Sequence, residues 1–402
     1  MLQQITLRGV GPAPTLHLEL APRLNLLAGD NGLGKTFVLD VAWWALTQTW
    51  AGQPAWPDPR AENPMIFWKT EASGGAWSRY NLDRQRWSRK LIKPEPILAL
   101  YARVDGSFSL WDSARIAQIP QGHHFSSETL WNGLSEEDRV LSNGLIRDWV
   151  SWQHQGTAAF TQLATVLKAL SPGDSEELRP GTPVRVRLDD VREIPTLEMP
   201  YGIVPLTYAS AGVRRIVGLA YLLVWAWQEH LQASELLRRS PTDEIVFLID
   251  EVEAHLHPHW QRLLLPALLS VLRALKNSAK VQILATTHAP LVLASVEPLF
   301  DTSQDALFTF DLEGREVRVT RADWRERGDA SAWLTSDVFD LKEARSLPAE
   351  QAIQRALEAA RRPDLPIEEV RKIHHDLNAV LKDTDPFWPR WLVRARAAGV
   401  EP

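Results

Sequence analysis

A glycine-rich stretch near the start of the chain has the residue types and spacing of a phosphate-binding loop. Residues 29–36 read GDNGLGKT and fit the pattern G-x-x-x-x-G-K-[ST], after a short apolar strand and before an apolar helix. Glycines let backbone N–H groups approach phosphate oxygens, and the helix N-terminus favours an anion. The predicted nucleotide contacts come from Asn31, Gly32 and Gly34. Lys35 is expected to reach the β- and γ-phosphates, and the Thr36 hydroxyl to ligate Mg²⁺.

A pair of acids follows a second apolar strand. Residues 245–249 read IVFLI, and Asp250 and Glu251 come directly after them. In a parallel sheet this strand end lies beside the phosphate loop, and adjacent residues there point to opposite sides. We therefore predict that Asp250 holds the Mg²⁺ shell. Glu251 is predicted to orient or deprotonate the water that attacks the terminal phosphate of ATP.

Histidines follow the two buried-type strands. Residues 281–285 form an apolar strand that ends in TTH at 286–288, and His288 at such a place can contact a γ-phosphate or be structural. Between the strands, His255, His257 and His259 alternate in a segment that enters a helix and contains Pro258. Because that spacing is a poor ligand geometry, we predict no zinc site there.

These residues need a sheet with helices on its faces. The pattern predicts strands at 2–8, 15–20 and 24–28, a helix at 37–47, strand pieces within 65–113, helical periodicity over 126–170 and a linker at 171–183. It further predicts a strand at 184–188, helices at 213–230 and 259–276, a hairpin over 306–320 and a mostly helical tail from 330.

Composition narrows the class of protein. The chain has 402 residues, a formal charge of −6 and no cysteine, which removes thiolate metal sites and a cysteine nucleophile. The longest apolar run is 216–227, shorter than the roughly 20 residues that a bilayer crossing needs, so no membrane association is expected. A reducing cytoplasm is compatible with this composition, and any contact with DNA must come from a local patch.

The order of motifs resembles the ABC-type ATPases of the structural-maintenance, recombination-repair and overcoming-lysogenization class. Residues 209–213, ASAGV, stand where this class has its signature segment, although one glycine and the glutamine are missing. The resemblance implies an α/β phosphate-loop ATPase domain with a mixed sheet flanked by helices. It also implies that ATP is sandwiched in a head-to-tail dimer or higher oligomer, with Ser210 and Gly212 acting on the nucleotide of the other subunit.

The same resemblance implies that His288 is the switch histidine and that His257 lies in the loop crossing the dimer. The loop glutamine of these enzymes has three unresolved candidates, Gln118, Gln121 and Gln153.

Segments outside the ATP motifs resemble the ATPase subunit of Septu-type anti-phage systems, and some retrons carry a similar subunit. These segments are 102–108, 111–112, 143–149 and 385–391. The likeness implies an ATPase that controls a partner HNH-type nuclease. No nuclease activity is expected from this chain. A nuclease centre of the kind found after some related ATPase domains needs a D-x-D pair at the end of a strand, and the D-x-D at 383–385 lies in a proline-flanked loop. The alternative is a nucleotide-gated DNA-binding or scaffold protein in DNA repair, without a nuclease partner.

The predicted organisation has four parts: an N-terminal lobe of the ATPase domain (1–125), a helical insertion (126–183), a C-terminal lobe (184–325) and a helical tail that is a candidate partner-docking region (326–402). The run from Arg84 to Lys90 with Lys93 is either a solvated hairpin or a phosphate contact in which Trp87 stacks a base.

The tryptophans divide into two expected sets. Those at 43, 44, 225 and 227 are predicted to be core, because large apolar side chains bury against a sheet. A second set is expected where partners or subunits meet, at 111, 131, 149, 152, 388 and 391. Phe387, Trp388 and Trp391 either anchor a partner or fold back on their own domain.

Two neighbouring arginines follow the signature-like segment. Arg214 and Arg215 are either structural, or they face a phosphate group or the subunit interface.

Overall fold

The computed structural model describes residues 1–71, 74–88, 96–115, 122–173, 176–275, 279–362 and 364–400. The chain separates into two compact units, Met1–Ala330 and Ser331–Pro402. Among the helices in the described ranges, none combines the length and the apolarity that crossing a bilayer requires.

The first unit is built on strands from the whole length of its sequence. The strands are β1 (Leu2–Arg8), β2 (Thr15–Glu19), β3 (Leu24–Gly29), β4 (Met65–Thr70), β5 (Ala76–Asn81), β6 (Arg86–Trp87), β7 (Ile97–Ala102), β8 (Phe108–Asp112), β9 (His123–Phe125), β10 (Leu134–Glu136), β11 (Arg139–Ser142), β12 (Arg179–Arg185), β13 (Glu193–Met199), β14 (Gly202–Pro205), β15 (Glu244–Ile249), β16 (Lys280–Thr287), β17 (Asp305–Glu313) and β18 (Glu316–Ala322).

Helices flank these strands and make up the second unit. In the first unit they are α1 (Lys35–Thr47), α2 (Ser127–Asn132), α3 (Leu145–Gln155), α4 (Ala158–Ala169), α5 (Ala211–Leu236), α6 (Pro258–Gln261), α7 (Leu264–Leu275) and α8 (Pro290–Val296). In the second unit they are α9 (Ala330–Leu334), α10 (Leu347–Ala360), α11 (Ile367–Val380) and α12 (Trp388–Ala397). The first residue of α9 is the last residue of the first unit.

The central sheet of the first unit is mixed. Within the described residues it has eight strands in the order β18-β17-β3-β16-β15-β7-β8-β9. The five strands from β17 to β7 run parallel, and β18, β8 and β9 pair antiparallel at the two ends. β3 is buried throughout and β15 nearly so, as expected for parallel strands covered on both faces. The predicted mixed sheet flanked by helices is therefore confirmed.

A second sheet has one solvated face. It is antiparallel in the order β2-β1-β4-β5-β6, and buried and exposed residues alternate along β1 and β2. Its inner face joins α1 and the central sheet in one apolar core that contains Trp43, Trp44 and Trp68. This core fixes α1 between the two sheets.

The predicted continuous helical periodicity over 126–170 is wrong in part. Leu134 lies in β10 and Leu141 in β11, which form a short hairpin between α2 and α3. Gly133 follows the last residue of α2 and Gly144 precedes the first residue of α3, with φ of 103° and 83°, values that favour glycine. A Cβ on Gly144 would lie 2.2 Å from the Gly133 nitrogen, so the two backbones meet at a distance only glycine allows.

The predicted linker and the strand after it also change. β12 begins at Arg179, inside the predicted linker, and ends at Arg185, and residues 174–175 lie outside the described residues. The predicted helix at 259–276 is two helices, α6 and α7, and residue 276 lies outside the description.

The aromatic tail folds back into its own unit. Phe387, Trp388 and Trp391 are 9%, 7% and 1% exposed and belong to the core formed by α10, α11 and α12. Trp391 donates a hydrogen bond from Nε1 to His374 Nδ1 at 3.1 Å. The alternative in which these rings are exposed anchors for a partner is therefore wrong.

Burial also corrects the division of the tryptophans. Trp111 and Trp149 are 4% and 0% exposed, although they were expected at partner or subunit contacts. Trp131 and Trp152 remain partly exposed. The predicted core set is confirmed, because the rings at 43, 44, 225 and 227 are all buried.

Candidate functional site

The predicted site residues meet at one edge of the central sheet. β3, β16 and β15 are parallel neighbours, so their carboxyl ends lie side by side. β3 leads into the phosphate loop, β15 into Asp250 and Glu251, and β16 into His288. The sheet order thus brings together three segments that are more than 200 residues apart at the extremes.

The phosphate loop ends in the N-terminal turn of α1. Gly32 and Gly34 have φ of 78° and 94°, and a Cβ on Gly32 would meet no atom within 4 Å, so the loop is open at this point. Lys35 is 5% exposed, and its Nζ donates to the carbonyl oxygens of Gly29 and Asp30 at 2.9 and 2.6 Å. The ammonium is therefore held inside the loop that it is predicted to serve.

Thr36 and Asp250 form the contact that a magnesium site needs. The Thr36 hydroxyl donates to the two carboxylate oxygens of Asp250 at 2.9 and 3.0 Å. A hydroxyl and a carboxylate in contact beside a phosphate-binding loop fit the oxygen ligands that Mg²⁺ prefers, together with substrate phosphates. The residues present thus fit Mg²⁺ bound with a nucleotide.

Thr286 is a site residue that the sequence prediction missed. Its hydroxyl donates to Asp250 Oδ1 at 2.8 Å and accepts from the Glu251 N–H at 2.7 Å. One side chain on β16 thereby holds the carboxylate of Asp250 and the backbone of Glu251, the two acids that follow β15. The sequence does carry a signal for it, because two threonines stand directly before the histidine at the end of the apolar strand.

Glu251 is held in an uncommon backbone conformation. Its φ is 46°, in the left-handed region that residues with a Cβ adopt at a cost of about 1–2 kcal/mol. Arg215 on α5 stabilises this turn, because its guanidinium donates to the carbonyl oxygens of Asp250 and Glu251 at 3.1 and 3.0 Å, and to that of Val104 at 3.1 Å. Arg215 is therefore structural in this subunit. Burial lowers its pKa, against the raising effect of nearby carboxylates.

The signature-like segment begins α5. The Ser210 hydroxyl accepts the Val213 N–H at 3.3 Å and caps the helix. A Cβ on Gly212 would lie 2.8 Å from the His255 carbonyl oxygen, so this glycine lets α5 pack against the segment after Glu251. Ser210 thus starts the helix, and Gly212 holds the helix start against the segment that follows the acid pair.

Glu253 binds the residues at the carboxyl end of β16, where His288 lies. Its carboxylate accepts the Thr287 hydroxyl at 2.8 Å and the His288 N–H. His255, His257 and His259 are exposed, and no metal-binding cluster occurs among the described residues. Gln153 bonds Trp149 Nε1 and the Gly181 carbonyl, whereas Gln118 and Gln121 lie outside the described residues.

We expect nucleotide affinity to weaken as the pH rises above about 8. Burial lowers the pKa of Lys35 to about 8. Below that pH the ammonium is already charged, and above it binding must take up a proton, so the dissociation constant for Mg·ATP should rise by up to about tenfold per pH unit. Calorimetric titration across this range measures it. Lys35→Arg is the matched control, because arginine stays charged, and an equally steep pH dependence in that variant would refute the assignment.

Sequence comparisons match parts of the chain to an AAA domain model and to relatives that include one named as a probable ATPase. Residues 111–294, less than half of the chain, match the family model described as "AAA domain, putative AbiEii toxin, Type IV TA system". The chain is 36% identical over 100 residues to the Septu protein PtuA of Bacillus mycoides (strain KBAB4), and 28% identical over 96 residues to the retron Ec83 probable ATPase of Escherichia coli. Each match covers 24% of this chain, and they span 12% and 15% of those relatives' lengths.

Solved structures with a similar fold include an SMC head bound to the C-winged helix domain of ScpA. Its TM-score is 0.46 at 13% identity, covering 80% of this chain and 97% of that chain. The SMC head domain from Thermotoga maritima matches with a TM-score of 0.40 at 13% identity, covering 80% and 99%. The predicted resemblance to Septu-type and retron ATPases is confirmed over the matched segments. The predicted α/β class, a mixed sheet flanked by helices, agrees with the strands and helices of the described residues.

Proposed function

We propose that this chain binds Mg·ATP at the phosphate loop and hydrolyses it to ADP and phosphate. The observation that carries the proposal is the contact of the Thr36 hydroxyl with Asp250, with Glu251 as the next residue. Mg²⁺, when bound, neutralises phosphate charge. Thr36 and Asp250 would hold it, and Lys35 would pair with the β- and γ-phosphates.

The remaining site residues divide the work around the terminal phosphate. Backbone N–H groups of the loop at Asn31, Gly32 and Gly34 bind phosphate oxygens. Glu251 positions the attacking water and takes its proton, with the carboxylate placed by the Thr286 and Arg215 contacts to its backbone. His288 contacts the γ-phosphate from the neighbouring strand end, where Glu253 holds its N–H.

The nucleotide would be shared between subunits. Ser210 and Gly212 at the N-terminus of the 26-residue helix α5 contact the γ-phosphate held by a second copy in a head-to-tail dimer or higher oligomer. What supports this is the resemblance of residues 209–213 to the signature segment. Arg215 would then connect Ser210, which serves the partner's nucleotide, to Glu251, which serves its own.

The complex would act in anti-phage defence in the cytoplasm, with this ATPase controlling an HNH-type nuclease and contributing no nuclease activity itself. The similarity to the Septu protein and the retron ATPase supports the system. We propose that the ATPase has four functional segments, at 1–125, 126–183, 184–325 and 326–402. Docking through the last segment would use residues other than its buried aromatic rings.

We expect an HNH-type protein encoded beside this chain to co-purify with it after co-expression, and its DNA cleavage to differ between the Lys35→Ala and Glu251→Gln complexes. The first variant weakens nucleotide binding and the second retains the bound nucleotide, so the pair compares the two states of one assembly. An ATPase that purifies alone and binds DNA only with ATP would contradict this proposal, and would favour the nucleotide-gated DNA-binding or scaffold protein.

A further inference from the structure

A cavity of about 650 Å³ lies at the C-terminal end of α1, opposite the phosphate loop. Its wall includes Trp44, Trp50 and Trp87, and the β5–β6 hairpin contributes Arg84 and Arg86. Trp44 is the ninth residue after Lys35 in α1, which at 1.5 Å per residue places it about 14 Å further along the helix. The cavity is therefore separate from the nucleotide site proposed above.

Two of the three tryptophan rings of the cavity form a stack, and one of these two is partly exposed. Trp44 and Trp50 are stacked with centroids 5.4 Å apart and planes 21° from parallel. Trp44 is 1% exposed and is held edge-on by Trp68 at 5.1 Å, whereas Trp50 is partly exposed. A planar group entering the cavity would therefore meet a pre-positioned indole, with little ordering cost.

Trp87 is not the ring that can stack a base. It is 5% exposed, and its Nε1 donates to the Ala55 carbonyl at 2.8 Å. The alternative in which the run at 84–90 presents Trp87 to a base is therefore wrong for that ring. Trp50, which no sequence pattern marked, is the partly exposed tryptophan of the cavity wall.

The hairpin side of the cavity is cationic. Arg84 and Arg86 are exposed, and within the described residues neither guanidinium has a hydrogen-bond or ion-pair partner. The side-chain oxygen of Asn81 accepts a hydrogen bond from the backbone N–H of Arg84 at 2.8 Å, which stabilises the turn. Among the described residues that line the cavity there is no carboxylate, and the two arginines give its wall a positive charge. Residues 89–93, the rest of the basic run, lie outside the described residues.

We propose that this cavity binds one nucleotide unit, with the base stacked on Trp50 and the phosphate paired with Arg84 and Arg86. Stacking on an indole and charge pairing at a neighbouring guanidinium are the two interactions that recognise a nucleotide without regard to sequence. The amides of Asn81 and Gln85 on the hairpin can hydrogen-bond the base edge. The bound unit would be either a free mononucleotide or one nucleotide of a single strand. Its binding would not require ATP hydrolysis.

The test uses the intact Lys35→Ala protein, in which the phosphate loop no longer competes. Binding of AMP is measured by calorimetry, and binding of a fluorescein-labelled single-stranded oligonucleotide by anisotropy. Changing Trp50→Leu in this background should weaken binding by about 5- to 150-fold, the range that one stacked base supplies. Arg84→Ala with Arg86→Ala should reduce the slope of log affinity against log salt for the oligonucleotide by about 1.4.

Arg238→Ala with Arg239→Ala is the matched control, because it removes two exposed cations beyond the end of α5 and should leave binding unchanged. Trp50-dependent binding of AMP identifies a free mononucleotide, and Trp50-dependent binding of the oligonucleotide alone identifies a single strand. Equal binding to the Trp50→Leu protein and its parent overturns the proposal, as does no binding of either probe. ATP hydrolysis in otherwise unmodified protein should survive Trp50→Leu, so failure here leaves the ATPase proposal standing.

Discussion

Glu251→Gln is expected to lower the ATP turnover number by about 10²–10⁴-fold while ATP remains bound, because a positioned general base supplies a factor of that size. Gln keeps the shape of the side chain and tolerates the left-handed φ of 46° no worse than Glu does. The backbone contacts from Thr286 and Arg215 reach the Glu251 N–H and carbonyl, so they are unaffected by the substitution. The loss should therefore fall on the chemical step.

The measurement is steady-state phosphate release together with the dissociation constant for Mg·ATP. Glu253→Gln is the discriminating variant, because Glu253 is the other acid of this segment and bonds Thr287 and His288 instead. A Glu251→Gln protein that turns over ATP at the unmodified rate would show that the base is misassigned. The same conclusion would follow if Glu253→Gln had the larger effect on turnover at unchanged affinity.

Ser210→Asp is expected to abolish ATP hydrolysis without unfolding the protein. Asp caps a helix about as well as Ser, so the bond to the Val213 N–H is replaced and α5 keeps its start. The new carboxylate would face the γ-phosphate of the partner's nucleotide and repel it. Ser210→Asn keeps the cap without the charge and is the matched control, and the unfolding temperature of each variant checks the helix.

Mixing two inactive variants tests whether the site is shared. Ser210→Asp retains a working phosphate loop and Lys35→Ala retains a working Ser210, so their heterodimer has one complete site. With random pairing, half of the dimers are mixed and each has one of its two sites intact, which restores about a quarter of the unmodified activity. If Ser210→Asp is inactive and the mixture stays inactive too, Ser210 acts within its own subunit. If Ser210→Asp alone retains full activity, it has no role in turnover.

Part of the site followed from local sequence. The spacing of residues 29–36 and the apolar run before Asp250 predicted both the strands and the acids, because a buried parallel strand is a continuous apolar segment and a phosphate loop needs its glycines locally. The closeness of Thr36 and Asp250 was also implied, since the parallel strands of one sheet end at the same edge. Resemblance supplied the roles assigned to Ser210 and Gly212, which contacts within one subunit do not test.

Other features depended on packing between distant segments, which no local pattern records. Arg215 reads in the sequence as one of two arginines at a helix start, but it lies 35 and 36 residues from the carbonyl groups that it binds. The buried tail aromatics were ambiguous because an amphipathic helix has the same sequence whether a partner or its own unit covers it.

The sequence by itself determined the phosphate loop, the acid pair and the class of sheet, because each follows from residues that are neighbours in the chain. Only the tertiary structure decided that Thr286 fixes both acids, that Arg215 stabilises the turn at Glu251, and that Trp50 rather than Trp87 has a partly open ring. Those outcomes depend on which side chains of remote segments fill the space around a buried group, and burial is a property of the packed chain.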